Sequence, residues 1–319
     1  MAGVRSVRPT DLVALVAYDG KIYPNEAITR DRVGKEASPH PLETAIEQWF
    51  SFATGRHTWI SVKGATLRGL VSARKRGSNV AWEIDCLIQT EQTTGVMLNL
   101  LDQVTEDAGR AGAEKIFLRV DADSEILRDA SSAGFALYMR EHLFVAEGPG
   151  DVPMPSFDEG VAFRRWSKAD AHDTFRLYNR ATPEPVRMTE AATFREWAAS
   201  RERISPNRGT RQWVLQDPDG IAAWLRTAAD GELGRFDVVA DVAATGLLDN
   251  LIDAASARLA EQSLLLALVP DFAVGIVDRL RQRGFTEQGE YVVLARRTVR
   301  PIPVAEPAKA AAPVQIFPA

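Results

Sequence analysis

Almost the whole chain repeats itself once. Thr94-Gly95-Val96-Met97-Leu98-Asn99-Leu100-Leu101-Asp102 lines up with Thr245-Gly246-Leu247-Leu248-Asp249-Asn250-Leu251-Ile252-Asp253, 151 residues later, and five of the nine positions are identical. Ala133-Gly134-Phe135 pairs with Arg283-Gly284-Phe285 at an offset of 150. Upstream, Trp59-Ile60-Ser61-Val62 matches Trp213-Val214-Leu215-Gln216, and Glu47-Gln48-Trp49 resembles Arg195-Glu196-Trp197. A repeat this long is a duplicated domain, since a solenoid needs at least three shorter units to close its core. The 319 residues suit two domains of ~150 residues each. Residues 1–147 read as the first domain and 161–300 as the second, in pseudo-twofold relation. Residues 148–160, opening with Gly148-Pro149-Gly150, read as a linker. Residues 301–319, rich in Pro and Ala without a periodic face, read as a flexible tail.

Within each copy the element order is the same. Each opens as a strand followed by a helix cap, at Val4 to Asp11 and at Val161 to Asp170. Trp59 to Val62, Thr66 to Lys75 and Val80 to Gln89 form an antiparallel meander broken at Lys63-Gly64 and Gly77-Ser78-Asn79. A helical stripe follows at Met97, Leu100, Leu101, Val104 and Ala108, and Leu248, Leu251, Ile252, Ala255 and Leu259 repeat its intervals. Then come a strand (Lys115 to Val120; Leu264 to Val269), a helix (Glu125 to Ala133; Gly275 to Arg283) and terminal strands (Phe135 to Val145; Phe285 to Arg296). The fold class is α/β (α+β), each copy a mixed, mostly antiparallel sheet flanked by helices.

Several reaction classes drop out. There is no dinucleotide fingerprint, Walker loop or nucleophile elbow. The four histidines, His40, His57, His142 and His172, lack metal-ligand spacing, so no metal is expected. The one cysteine, Cys86, excludes an intramolecular disulfide and lies in an apolar run, where a buried inert thiol is expected. A net charge of −5 gives no overall attraction to nucleic acid or an anionic membrane. The densest basic cluster, Arg74-Lys75-Arg76, sits before Gly77 and reads as a solvated hairpin tip. Without a signal-peptide core or a run of ~20 apolar residues, a cytoplasmic location is expected.

This arrangement resembles the GNAT (Gcn5-related N-acetyltransferase) family, in tandem. The family carries Q/R-x-x-G-x-G/A after its fourth strand, where converging backbone N–H groups at a helix start bind the pyrophosphate of acyl-CoA. Here the run is Gln92-Thr93-Thr94-Gly95-Val96-Met97, which keeps the Gln and the first Gly but ends in a residue of the core stripe. The second copy has Ala243-Ala244-Thr245-Gly246-Leu247-Leu248, without the Gln. The resemblance therefore implies acyl-CoA binding, acetyl-CoA by default, in the first copy and weaker binding in the second. An ordinary helix entry capped by Thr94 or Thr245 is the alternative. Leu87, Ile88 and Asp123 join the implied cofactor-binding set, with a cap on the next helix as the alternative for Asp123.

On the same resemblance, Glu83 in Ala81-Trp82-Glu83-Ile84-Asp85 is the implied general base, with a solvated strand face as the alternative. The comparable carboxylate of the second copy is Asp237. The Tyr that often serves as acid is replaced by Ala130 and Leu280, and Tyr138 substitutes only if the last strands carry it into the cleft. Trp166, Trp197, Trp213 and Trp224 mark either core or an acceptor surface. The implied function is acyl-CoA-dependent N-acyl transfer, by direct attack, to a small-molecule or peptide amine. The partners expected include neither nucleic acid nor membrane, and a monomer with an intrachain pseudo-dimer is expected. The alternative is a catalytically inactive GNAT-fold binding or scaffold protein.

Overall fold

Both helical stripes are buried along their full length. Met97, Leu100, Leu101, Val104 and Ala108, and their counterparts Leu248, Leu251, Ile252, Ala255 and Leu259, are all core residues. Each buried Leu or Ile among them contributes about 1.5–3 kcal/mol. The computed structural model describes residues 3–11, 15, 18, 21–34, 55–64, 66–90, 95–148, 150, 152–204, 209–241 and 246–298. The Pro- and Ala-rich 301–319 segment lies outside the described residues, as do Glu47-Gln48-Trp49.

The first copy runs β1 (Gly3–Ser6), β2 (His57–Lys63), β3 (Thr66–Lys75), β4 (Ala81–Gln89), α1 (Val96–Arg110), β5 (Lys115–Asp121), α2 (Ile126–Ser132) and β6 (Ala136–Glu147). The second runs β7 (Ala162–Arg165), α3 (Ala171–Ala181), α4 (Glu184–Glu190), α5 (Phe194–Ser200), β8 (Arg211–Asp217), β9 (Gly220–Asp230), β10 (Leu233–Ala240), α6 (Leu248–Arg258), β11 (Leu264–Pro270), α7 (Val274–Gln282) and β12 (Thr286–Arg297). Each copy opens with the same lock. Arg5 donates two hydrogen bonds to Asp11 at 2.5 and 2.6 Å, and Arg164 donates two to Asp170 at 2.9 and 2.7 Å. In each, the carboxylate also accepts from a backbone N–H three residues earlier, that of Arg8 or Ser167.

The twelve strands of the described residues form one sheet, in the order β1-β2-β3-β4-β5-β12-β6-β11-β10-β9-β8-β7. The last strands are exchanged. β12 of the second copy pairs with β5 of the first, and β6 of the first pairs with β11 of the second. Between them β6 and β12 run antiparallel, from Thr286 opposite Val145 to Ala295 opposite Ala136. The 150-residue offset maps one end of that ladder onto the other, so the pseudo-dyad passes through it. The two register shifts leave Tyr138 and Gln288 unpaired, again 150 residues apart.

The exchange reaches into both cores. Val292 and Leu294 of β12 pack in the cluster around α1, and Phe144 of β6 packs in the cluster around α6. β6 ends at Glu147 and β7 begins at Ala162, and each copy is completed by a strand of the other. The fragment 1–147, expressed alone, lacks the strand that lies between β5 and β6. We expect it to be unfolded or to form a homodimer that exchanges β6; a folded monomer by sedimentation would contradict the interlocked arrangement.

The two opening locks also set an acid limit. Hydrogen bonds from Arg5 and Arg164 hold Asp11 and Asp170 at about 2, below the ordinary value of 3.8. A carboxyl depressed in the folded state stabilises it above the unfolded-state value, and that contribution is lost as pH falls from about 4 to 2. Urea unfolding between pH 4 and 2 should show stability falling, with a smaller fall in the doubly substituted Asp11→Asn, Asp170→Asn protein.

Candidate functional site

Each copy contains a pair of parallel strands that start together and then part. In the first, β4 pairs with β5 only from Ala81–Lys115 to Glu83–Phe117. In the second, β10 pairs with β11 from Leu233–Leu264 to Phe236–Ala267. Beyond those points the backbone edges of β4 and β10 face a wedge-shaped gap. The two gaps are filled differently.

In the first copy the chain occupies its own gap. Tyr23 N–H donates to Gln89 O at 3.0 Å, Glu26 N–H to Leu87 O at 2.9 Å, and Ile28 N–H to Arg119 O at 2.9 Å. Asn25 completes the seal: its Oδ1 accepts from Leu87 N–H at 2.7 Å, and Ala27 packs into the α1 core. The edge of β4 that faces β5 is thus satisfied by residues 23–28.

In the second copy the gap opens into a cavity of about 340 Å³. Its walls come from the free end of β10 (Asp237 to Ala240), the end of β11 (Leu268, Pro270), the start of α7, and Leu248 at the start of α6. Tyr178, Glu190, Trp197 and Arg201 close it from the side of α3, α4 and α5, and Trp224 of β9 adjoins them. Residues 242–245, ahead of α6, lie outside the described residues.

A buried ion network forms the remaining wall. Glu202 accepts from three arginines: Arg30 at 2.8 Å, Arg76 at 2.9 Å and Arg119 at 2.9 Å. Glu141 bridges Arg119, at 2.7 Å, to Arg30. Arg30 also reaches Asp237 at 2.7 Å, and Arg226 donates to the other oxygen of Asp237. Arg76 and Arg74 together hold Glu83, and Arg74 chelates Asp31 at 2.8 and 3.0 Å. Five guanidinium groups face five carboxylates, so the network is neutral. Burial pushes the Glu202 carboxyl up, but Arg119, Arg76 and Arg30 outweigh it and hold the group well below the ordinary carboxylate value.

Glu190 is the exception among these acids. It is half-buried at the end of α4, and burial raises its carboxyl above the ordinary value against the opposing pull of Arg76 and of a hydrogen bond from Tyr178. That bond runs from the Tyr178 hydroxyl to Glu190 Oε2 at 2.9 Å. A carboxylate without an arginine partner among the described residues, in a cavity, is the kind of group that exchanges protons with a ligand.

The residues singled out from sequence are dispersed. Glu83 is 4% exposed, with one oxygen on Arg74 at 2.6 Å and the other on Arg76 at 3.2 Å, so it faces neither a cleft nor solvent. Arg74 and Arg76, expected at a solvated hairpin tip, are 6% and 5% exposed, because Asp31, Glu83 and Glu202 offset the cost of burying them. Only Gly77, Ser78 and Asn79 of that hairpin are exposed. Leu87 and Ile88 are fully buried, and the backbone of Leu87 is taken by Asn25 and Glu26.

Gly95 caps α1 at φ 84°, in the left-handed region that favours glycine, while Val96 and Met97 are core residues. Gln92, Thr93 and Thr94 lie outside the described residues. Asp123 directs its backbone N–H to Asp121 at 3.0 Å, and Ser124 rather than Asp123 accepts from the first N–H of α2. Tyr138, at its bulge, packs edge-on to Phe117 with its hydroxyl buried and without a hydrogen-bond partner. Cys86 is buried and free. Among the described residues no three of His, Cys, Asp and Glu gather as a metal site, and no helix is long and apolar enough to cross a membrane.

Of the tryptophans, Trp197 and Trp224 line the cavity and Trp213 lies in the core. Sequence reasoning did not find Glu190, Tyr178 or Arg201. Tyr178 and Glu190 are twelve residues apart on separate helices, with no motif between them, and only the fold brings them together.

No family model matches the chain, and no curated protein matches it. Solved structures do. A GCN5-related N-acetyltransferase from Sphaerobacter thermophilus is similar over 93% of this chain and 95% of its own, with a TM-score of 0.50 at 16% identity. A tandem GNAT protein from the clavulanic acid biosynthesis pathway is similar over 93% of this chain and 98% of its own, with a TM-score of 0.51 at 13% identity. The likeness is one of fold: this chain has the tandem GNAT fold.

The network generates a stability prediction. Glu202→Gln leaves Arg30, Arg76 and Arg119 buried with one carboxylate too few. We expect a loss of about 3–5 kcal/mol by urea denaturation, the usual cost of breaking a buried ion pair from one side; a loss below about 1 kcal/mol would contradict the role given to Glu202.

Proposed function

We propose that this protein is an acyl-CoA-dependent N-acyltransferase whose donor lies in the second copy, in the gap between β10 and β11. The observation that carries this reading is the contrast between the gaps: the second opens into a 340 Å³ cavity, and the first is closed by residues 23–28. This revises the placement implied by the Gln92-x-x-Gly95 loop, which pointed to the first copy. Acyl-CoA, acetyl-CoA by default, supplies an acyl group activated as a thioester. The parted edge of β10 from Asp237 to Ala240 offers backbone groups to an extended chain, and the N-terminus of α6 offers N–H groups and a favourable dipole to phosphates.

Amine attack on the thioester carbon makes a C–N bond and breaks the C–S bond, the nitrogen sheds a proton, and CoA leaves as the thiolate, which takes up a proton to become the free thiol. Glu190 supports the role of acceptor for that proton: it lines the cavity, its carboxyl is made more basic by burial, and Tyr178 orients it. Glu83 does not fit this role, since Arg74 and Arg76 occupy both its oxygens. The proposed first copy is structural, lending β6 and the Arg30 segment to the second. With the dyad inside one chain, the proposed unit is a monomer.

The rival reading, a binding protein without turnover, draws on Asp237, the carboxylate of β10, being locked between Arg30 and Arg226. Calorimetry separates the cases. Acetyl-CoA should bind one equivalent per chain, lose at least tenfold in affinity in Ala240→Trp, and bind unchanged in Gly95→Trp. Loss only in Gly95→Trp would return the donor to the first copy. No binding by the folded protein would sink the acyltransferase reading. In the active protein, Glu190→Gln should keep donor affinity and slow transfer by about 10²–10⁴-fold, the range for a lost general base; unchanged transfer would remove Glu190 from the reaction.

A further inference from the structure

Among the described residues, the cavity wall holds one cation without a carboxylate partner, Arg201. Arg30 and Arg226 on its wall are neutralised by Glu141, Glu202 and Asp237. Arg201, beside them, has no carboxylate within ion-pair distance among the described residues. Its guanidinium lies instead over the rings of Trp197, at 5.1 Å, and Trp166, at 5.7 Å. The group is half-buried, and burial together with the nearby charge of Arg226 disfavours its charged form. Arginine nonetheless remains protonated in proteins, so the site carries a partly desolvated positive charge whose natural partner is an anion. A carboxylate fits the planar guanidinium fork with two parallel hydrogen bonds.

The rest of the cavity narrows the class further. Glu190 and Tyr178 form an acidic, hydrogen-bonding corner, suited to an amine. Trp224, Phe272, Val274 and Ile276 supply apolar wall. A volume of about 340 Å³ is at the small end for ligand sites of ~300–1,000 Å³, and the acyl end of the donor takes part of it. An oligosaccharide exceeds such a space, and a protein's lysine brings no free carboxylate of its own to Arg201. A polycation would meet Arg201 with like charge.

Resting on the proposed acyl transfer, we propose that the acceptor is a small amino-acid-like molecule, its carboxylate on Arg201 and its amine toward Glu190. The test uses the full chain and matched pairs of probes that differ only in the carboxylate: L-phenylalanine against phenethylamine, L-leucine against isoamylamine, and the remaining standard L-amino acids against their decarboxylated amines. Affinities are read by calorimetry in the presence of CoA. At least one amino acid should bind tenfold or more tightly than its amine, Arg201→Met should erase that preference, and Arg201→Lys should keep part of it.

Equal affinities within every pair, or no binding by any amino acid, would overturn the proposal. So would a preference that survives in Arg201→Met. If Arg201→Met instead weakens acetyl-CoA tenfold, the arginine serves a donor phosphate and the acceptor assignment fails. These outcomes are independent of the donor question: acetyl-CoA binding without a carboxylate preference sinks only this inference. A carboxylate preference without acetyl-CoA binding sinks the acyltransferase reading and leaves Arg201 in an amino-acid-binding site.

Discussion

Glu202 is the point at which the two halves of the molecule are tied together. Its carboxylate sits in the connection after α5 of the second copy, and two of its three arginine partners, Arg76 and Arg119, lie at the end of β3 and on β5 of the first. The third, Arg30, reaches back across the dyad to Asp237 and to the carbonyl oxygen of Leu268. Charges removed from water in this way do not tolerate the loss of a partner, so the geometry of all ten groups is coupled. Relative to apolar packing such networks commonly add little net stability, and this one forms only where the two copies meet, since its members come from both. It also builds one wall of the cavity, so the shape of the site depends on an interaction between copies.

Duplication explains why such an interaction is possible. A twofold pair exchanges equivalent segments, and here both the last strands and the segments carrying Arg30 and Glu202 cross the dyad. Once the two halves are joined in one chain, symmetry is no longer required of their sequences. The gap between the fourth and fifth strands, present in both, has diverged accordingly. In the first copy the edge of β4 is satisfied by backbone and by Asn25, which removes the cost of leaving it unpaired. In the second it stays open, and such an edge calls for a hydrogen-bonding ligand or water.

The parts of this structure that were legible in the sequence are those set by local periodicity. The stripes of α1 and α6, the meander and the Gly95 turn follow from spacing within a dozen residues, and the 150-residue offset carried them from one copy to the other. What was not legible depends on pairings between distant segments. An exchanged strand has the same composition as an unexchanged one, since β6 and β12 present equivalent apolar faces to equivalent neighbours. Arg74 and Arg76 looked solvated because charge beside Gly77 normally is, and the carboxylates that draw them inward lie on β4, on the 21–34 segment and after α5. The Gln92-x-x-Gly95 loop drew attention to the first copy, but a phosphate loop says nothing of whether the neighbouring groove is free.

The same reasoning explains why Glu190 stands apart within so charged an interior. Glu141, Glu202, Asp237 and Asp241, the other acids on the cavity wall, are each held in an ion pair with an arginine. Glu190 receives a neutral hydrogen bond from Tyr178 and feels Arg76 only at a distance, while Glu202 and Glu141 push in the opposite direction. The neutral network thus does two things: its Glu202 and Glu141 oppose the pull of Arg76 on Glu190, and it leaves Arg201 as the one cation of the cavity wall without a carboxylate among the described residues. One proton-accepting group and one anion-seeking group, in a cavity otherwise balanced in charge, make a polar pair that reads the two ends of a zwitterion.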